Sequence, residues 1–161
     1  MKTLKDAFEH TLHDIYYAEG RIAKALPTVI AAVSNADLKS ALQDHLQETK
    51  GQIKTLDQVF KSIGKTPKGE KCDAIEGLIK ECEGVIEHAE GPTAKHAMII
   101  GCCQAIEHYE IARYGTLREW AKSLDQMEAH ELLSGILDQE KAANHKLTHL
   151  AVTELNDARK K

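Results

Sequence analysis

The sequence predicts an all-α protein: a four-helix bundle whose second and third helices are joined by a long crossover carrying a short extra helix. Three observations predict it. Four long segments repeat their apolar residues with the helical period. The joints within each half of the chain are a few residues long, whereas nearly thirty residues separate the second long segment from the third. The composition is rich in Ala, Leu, Glu and Lys, with only three prolines in 161 residues, as helices require.

The first segment runs from Leu4 to Val33. Thr3 and Asp6 have the spacing of a capping box at its start. Pro27 lies inside it and lacks the amide hydrogen that would continue the ladder, so a kink is expected there. Ser34-Asn35 ends the segment. The second runs from Asp37 to Ile63 and is closed by Gly64-Lys65-Thr66-Pro67-Lys68-Gly69. The third begins after Gly91-Pro92, where proline suits a first helical turn, and reaches Ser123. The fourth extends from Asp125 or Gln126 to Ala158. There Arg159-Lys160-Lys161 places positive charge where the helix dipole favours it. Within the crossover, Cys72 to Glu90 also reads as helical. Two hairpins joined by a long crossover form the ferritin-like arrangement rather than a simple up-down-up-down bundle. Residues 1–161 read as a single domain.

Charge and composition narrow the function. Hydrophobic residues make up 42% and charged residues 29%, as in a globular soluble chain. The net charge of −4 and the lack of a basic stripe give no case for nucleic acid. No apolar run approaches the roughly 20 residues that span a bilayer. The opening Met1-Lys2-Thr3-Leu4-Lys5-Asp6 lacks the apolar stretch of a signal peptide, so a cytoplasmic protein is expected. The cysteines, Cys72, Cys82, Cys102 and Cys103, form no C-x-x-C pair. They are expected to be free thiols rather than a zinc knuckle or a redox dithiol.

The informative residues are charges inside apolar stripes, where an amphipathic helix should carry none. Glu19 falls between Ile15 and Ile22 in the first helix. Glu140 sits at the centre of the stripe of the fourth, among Leu133, Ile136, Leu137 and Leu147, with Asn144 one turn on. In the third helix Glu107 and Glu110 both lie within the stripe, and Tyr114 follows on the same face. In the second, His45 and Gln52 fall inside the apolar arc and Glu48 at its edge. Each hairpin thus offers a glutamate from both of its helices: Glu19 and Glu48, then Glu107 and Glu140.

A lone buried carboxylate costs several kcal/mol or takes up a proton. Five converging in one core repel, and a pair of cations resolves the repulsion. Oxygen-rich ligands with some nitrogen suit two iron ions, with manganese as the alternative. The expected ligand set is therefore Glu19, Glu48, Glu107, Glu110 and Glu140, with His45, Gln52 and Asn144 as further candidates. His45 shares a helix face with Glu48 and reads either as a ligand or as a hydrogen-bond partner of one. Tyr114 reads as a hydrogen-bonded core tyrosine or as a redox-active phenol, and it is the one candidate catalytic residue. Tyr16, Tyr17 and Tyr109 lie off the central stripe as packing or surface groups. His10, His13, His88, His108, His130, His145 and His149 mostly fall off the stripes. His96 is on its stripe but far from the glutamates.

These residues carry a resemblance over nearly the whole chain. Ala18-Glu19, the segment from His45 to Gln52, the Glu107-His108-Tyr109-Glu110 run with Tyr114-Gly115-Thr116-Leu117, and Glu140-Lys141-Ala142 resemble the YciF-type stress-associated, ferritin-like proteins of bacteria. The resemblance implies a rubrerythrin-like di-iron bundle, often dimeric, in stress response. A homodimer through the outward helix faces is expected. The chain departs from the broader di-iron pattern, which places Glu-x-x-His on the second and fourth helices. Three residues after Glu48 stands Gly51, and three after Glu140 stands Ala143; Gln52 and Asn144 come one residue later.

The leading expectation is an oxidoreductase of peroxidase or ferroxidase type, reacting with peroxide or dioxygen, with peroxide the faster oxidant. The alternatives are iron binding and sequestration without turnover, and a structural bundle whose glutamates are paired or protonated.

Overall fold

A computed structural model describes residues 1–155 and shows five α-helices, with no strand among the described residues. They are α1 (Leu4–Ala32), α2 (Ala36–Ser62), α3 (Asp73–His88), α4 (Pro92–Ser123) and α5 (Met127–Leu150). A π-helical turn, Ala151–Leu155, prolongs α5. The expected end of the last helix at Ala158 and its basic tail, Arg159-Lys160-Lys161, lie outside the described residues. The helix of the crossover is α3.

Local chemistry sets the boundaries. The Thr3 hydroxyl accepts from the Asp6 amide at 3.1 Å, and the Asp6 carboxylate accepts from the Thr3 amide at 3.1 Å, closing the capping box. Asn35 caps α2 by accepting from the Leu38 amide at 2.8 Å. Gly64 ends α2 with φ of 70°, and Gly91 precedes Pro92 with φ of 85°, both in the region that glycine enters without strain. α1 runs unbroken through Pro27.

Neighbour relations fix the topology. α1 packs against α2 and α4, α5 packs against the same two, and α3 lies outside on α1 and α4. Ser34, after the end of α1, meets His96 in the first turns of α4, so α1 and α4 run antiparallel. α2 is antiparallel to α1 across the short turn and therefore parallel to α4. A third bundle helix that repeats the direction of the second can only be reached by a chain that travels back along the bundle. The crossover does so against α1. Lys65 pairs with Glu9 at 2.9 Å, and the His13 ring nitrogen meets the Lys68 carbonyl at 2.5 Å. Gly69 then lies on Tyr17, and Glu76 of α3 takes the Arg21 guanidinium at 2.6 Å. A methyl group at Gly69 would sit 3.0 Å from the Tyr17 Cα, so a side chain there would push the crossover off α1 by a few tenths of an ångström.

The core is layered along the bundle axis. Phe8, Leu12, Leu56, Phe60, Leu117 and Leu133 fill one end, and Leu26, Leu38, Leu42, Ile99 and Leu147 the other. Between these aliphatic layers lies a polar one.

Candidate metal centre

The middle layer holds four glutamates that are almost wholly withdrawn from solvent: Glu19 and Glu140 at 0% exposure, Glu107 and Glu110 at 1%. Each stands in the stripe of its helix, so burial of the neighbouring leucines and isoleucines carries the carboxylate inward with them. His45, Thr49 and Gln52 of α2 are buried in the same layer.

Their oxygen and nitrogen atoms converge in two overlapping groups. Glu19, Glu110 and Glu140 bring ligand-type atoms within 4.8 Å of one another, and so do His45, Glu107 and Glu110. Glu110 belongs to both. The Tyr114 hydroxyl, fully buried, donates a short hydrogen bond to Glu19 Oε1. The Gln52 amide donates to Glu140 Oε1 at 2.5 Å and to Gln139 at 3.2 Å. His45 Nε2 lies 3.3 Å from Glu107 Oε1.

The electrostatics are those of an unneutralised cluster. Burial, and then the neighbouring carboxylates, pushes Glu19, Glu107 and Glu110 well above the ordinary carboxylate range. Glu140 rises less, because hydrogen bonds from Glu107 and Gln52 oppose its burial. Two ionised carboxylates about 5 Å apart repel by roughly 3 kcal/mol even at an effective dielectric of about 20. Burial pushes the His45 imidazole down to about 4. The ring is therefore neutral at pH 7 and keeps a lone pair, and its approach to Glu107 is not an ion pair.

Seven buried side-chain atoms lack any hydrogen-bond partner among the described residues, and all seven are in this layer. They are one oxygen each of Glu19, Glu107, Glu110 and Glu140, His45 Nδ1, Thr49 Oγ1 and Gln52 Oε1. Folded proteins rarely leave such groups unmet, because each costs about 1–3 kcal/mol. Concentrated at one level and rich in carboxylate oxygen, they fit hard cations such as iron or manganese.

The remaining residues singled out in the sequence fall elsewhere. Glu48 is exposed and outside both groups. It lines a cleft with Asp44, Lys146, His45 and Glu107. The buried stripe of α2 runs His45, Thr49, Gln52, Leu56, in steps of four, three and four, and Glu48 stands one residue off it. Thr49 was the residue not expected; its spacing from His45 and Gln52 was the available signal. Asn144 is half-buried and accepts from Gln104 Nε2 at 3.2 Å across the α4–α5 seam. Gln52 presents its amide NH₂, not its oxygen, to Glu140. Among the tyrosines, Tyr16 bonds Asp57, Tyr17 bonds Glu76, and Tyr109 meets the Cys72 thiol. His96 is buried and accepts from the Ser34 amide at 3.1 Å, which ties the α1–α2 turn to α4. The four cysteines are free.

Comparison with known proteins places this architecture. The family model described as "Domain of unknown function (DUF892)" matches residues 3–159. Protein YciF of Escherichia coli K12 is 45% identical over 157 residues, covering 97% of this chain and 95% of YciF. The crystal structure of that stress protein has a TM-score of 0.93 at 44% identity, covering 98% of this chain and 99% of its own. YcfI from Rhodopseudomonas palustris, described as a candidate structural protein, gives 0.90 at 48% identity, covering 91% and 94%. A protein from Xanthomonas campestris shares the fold, with a TM-score of 0.73 at 20% identity and coverage of 92% and 91%.

Proposed function

The chain belongs to the DUF892 family, and within it we propose a ferritin-like di-metal carboxylate protein that holds two iron ions, with manganese as the alternative. One observation carries the reading: every unpartnered buried side-chain atom of the described residues is gathered at this one level. YciF, its relative, is described as a stress protein, and a role in bacterial stress response is proposed here on that likeness.

Glu19, Glu110 and Glu140 would hold one ion, and His45, Glu107 and Glu110 the other, with Glu110 shared. When bound, iron supplies redox chemistry toward peroxide or dioxygen. The protein's own residues orient and insulate the site. Tyr114 fixes one oxygen of Glu19 and leaves the other free. Gln52 does the same for Glu140. The neutral imidazole of His45 offers a lone pair without competing charge. The aliphatic layers on both sides keep water from the Glu19–Glu140 half, which strengthens the interactions there.

Elemental analysis of protein purified without added metal tests the proposal. About two ions per chain are expected, as in other bundles of this carboxylate type. A metal-free protein that takes up none on titration with ferrous or manganous ion overturns it. A second reading has its own support. The raised carboxyl groups can all be protonated in a metal-free fold, and YcfI is described as a candidate structural protein. That reading requires the metal-free result.

A further inference from the structure

The His45–Glu107 half of the site borders two openings of opposite character. One is the cleft between α2, α4 and α5, whose rim carries Asp44, Glu48 and Lys146. The other is a cavity of about 30 Å³ lined by α1, α3 and α4, with His45 of α2 at its inner end. Ala25, Thr28 and Glu83 stand at its outer end, Ile22, Ile79 and Ile106 wall it, and His45 and Glu107 close its inner end. Thr28 and Glu83 are exposed, whereas His45 and Glu107 are buried, so the cavity reaches from the surface to the site.

We propose that this cavity is the binding place and entrance of a small, uncharged, apolar molecule, dioxygen. Three properties argue for it. A single water needs about 10–15 Å³ of such space, so about 30 Å³ admits a diatomic molecule and little more. Between the mouth and the His45–Glu107 end the wall offers no hydrogen-bonding group apart from the thiols of Cys82 and Cys103, and apolar stretches of this kind hold no ordered water. A water molecule, an ion or peroxide would have to give up its hydrogen bonds along that wall, whereas dioxygen has none to lose. The cleft on the other side differs in carrying Asp44, Glu48 and Lys146 along its length.

Occupancy by an apolar molecule stands on the cavity alone. Its use as an oxidant's entrance rests on the di-metal reading. The metal-free full-length protein can be studied by methyl NMR under dioxygen pressure, with paramagnetic relaxation as the readout. The methyls of Ile22 and Ile79 are expected to relax faster than those of Ile100 and Leu137, which are buried to the same degree and lie outside the cavity. Thr28→Trp, a surface change at the mouth, should abolish the difference. Equal relaxation at both sets of methyls overturns the assignment. In the iron-loaded protein, Thr28→Trp should slow oxidation by dioxygen roughly tenfold and leave oxidation by peroxide and metal content unchanged. If both oxidants slow alike, the entrance is not selective and the proposal fails. Selective methyl relaxation in a protein that binds no metal would sink the di-metal reading and leave the cavity assignment standing.

Discussion

The two halves of the polar layer are built differently. Around Glu19, Glu110 and Glu140 the ligand atoms are all carboxylate oxygens, and Tyr114 and Gln52 seal them from the aliphatic layer. Around His45 and Glu107 there is an imidazole, and the pair borders both openings. The closed half has charge and no access. The open half has less charge and two routes to the surface. On the di-metal reading proposed above, the two ions would sit in chemically unequal places, and Glu110, which belongs to both groups, would couple them.

The largest effect is expected at that shared residue. Glu110→Ala should empty both places, whereas Glu19→Ala and His45→Ala should each remove about one ion of two. Elemental analysis of the three variants decides it. Glu110→Ala protein that keeps a full ion would mean that the two halves are independent.

Acidity sharpens it next. In the metal-free protein the buried carboxyls hold protons that the unfolded chain has released above about 4.5, so their contribution is lost as pH rises through their raised values. His45 acts in the opposite direction, its contribution present above 6.5 and lost as pH falls toward 4. Between pH 6.5 and about 8 the carboxyls act without His45, so the melting temperature of the metal-free protein should fall as pH rises. Bound metal requires deprotonated ligands, so the loaded protein should show the reverse slope. Thermal melts across that range, with and without chelator, measure both. Slopes of the same sign would show that the carboxylates are already neutralised by other means.

Within the closed half, Tyr114→Phe leaves Glu19 Oε1 without its donor, at a cost of about 1–3 kcal/mol to the metal-free fold. Denaturant unfolding reads this loss, and an unchanged midpoint would deny Tyr114 its orienting role. The smallest effects belong to residues outside the layer. Glu48→Gln and Asn144→Ala should change stability by no more than about 0.5 kcal/mol and leave metal content alone. Loss of an ion in Glu48→Gln would place Glu48 in the ligand set and make the open half the richer of the two in charge.

Much of this layer was legible in the sequence. Glu19, Glu107, Glu110 and Glu140 each interrupt an apolar stripe, and interruption of a stripe is a one-dimensional signal. α2 was harder to read. Glu48 and Thr49 differ by one residue, about 100° around the helix, and the apolar residues of α2 leave the stripe wide enough to admit either. The structure buries Thr49 and exposes Glu48. The crossover helix was visible from its own period, but its course along α1 was not. That course depends on meetings such as Arg21 with Glu76, 55 residues apart, which no local pattern encodes. For the same reason the apolar cavity, shared among four helices, left no trace in any single segment.

Gly69 shows how far from the site its dimensions are set. The crossover lies against Tyr17 only because this residue has no side chain, and α3, which begins four residues later, supplies Ile79 and Cys82 to the cavity wall. Gly69 thus acts as a shim beneath α3. A single methyl group there would press on the Tyr17 backbone and force the crossover and α1 apart by a few tenths of an ångström, just ahead of the helix that lines the cavity.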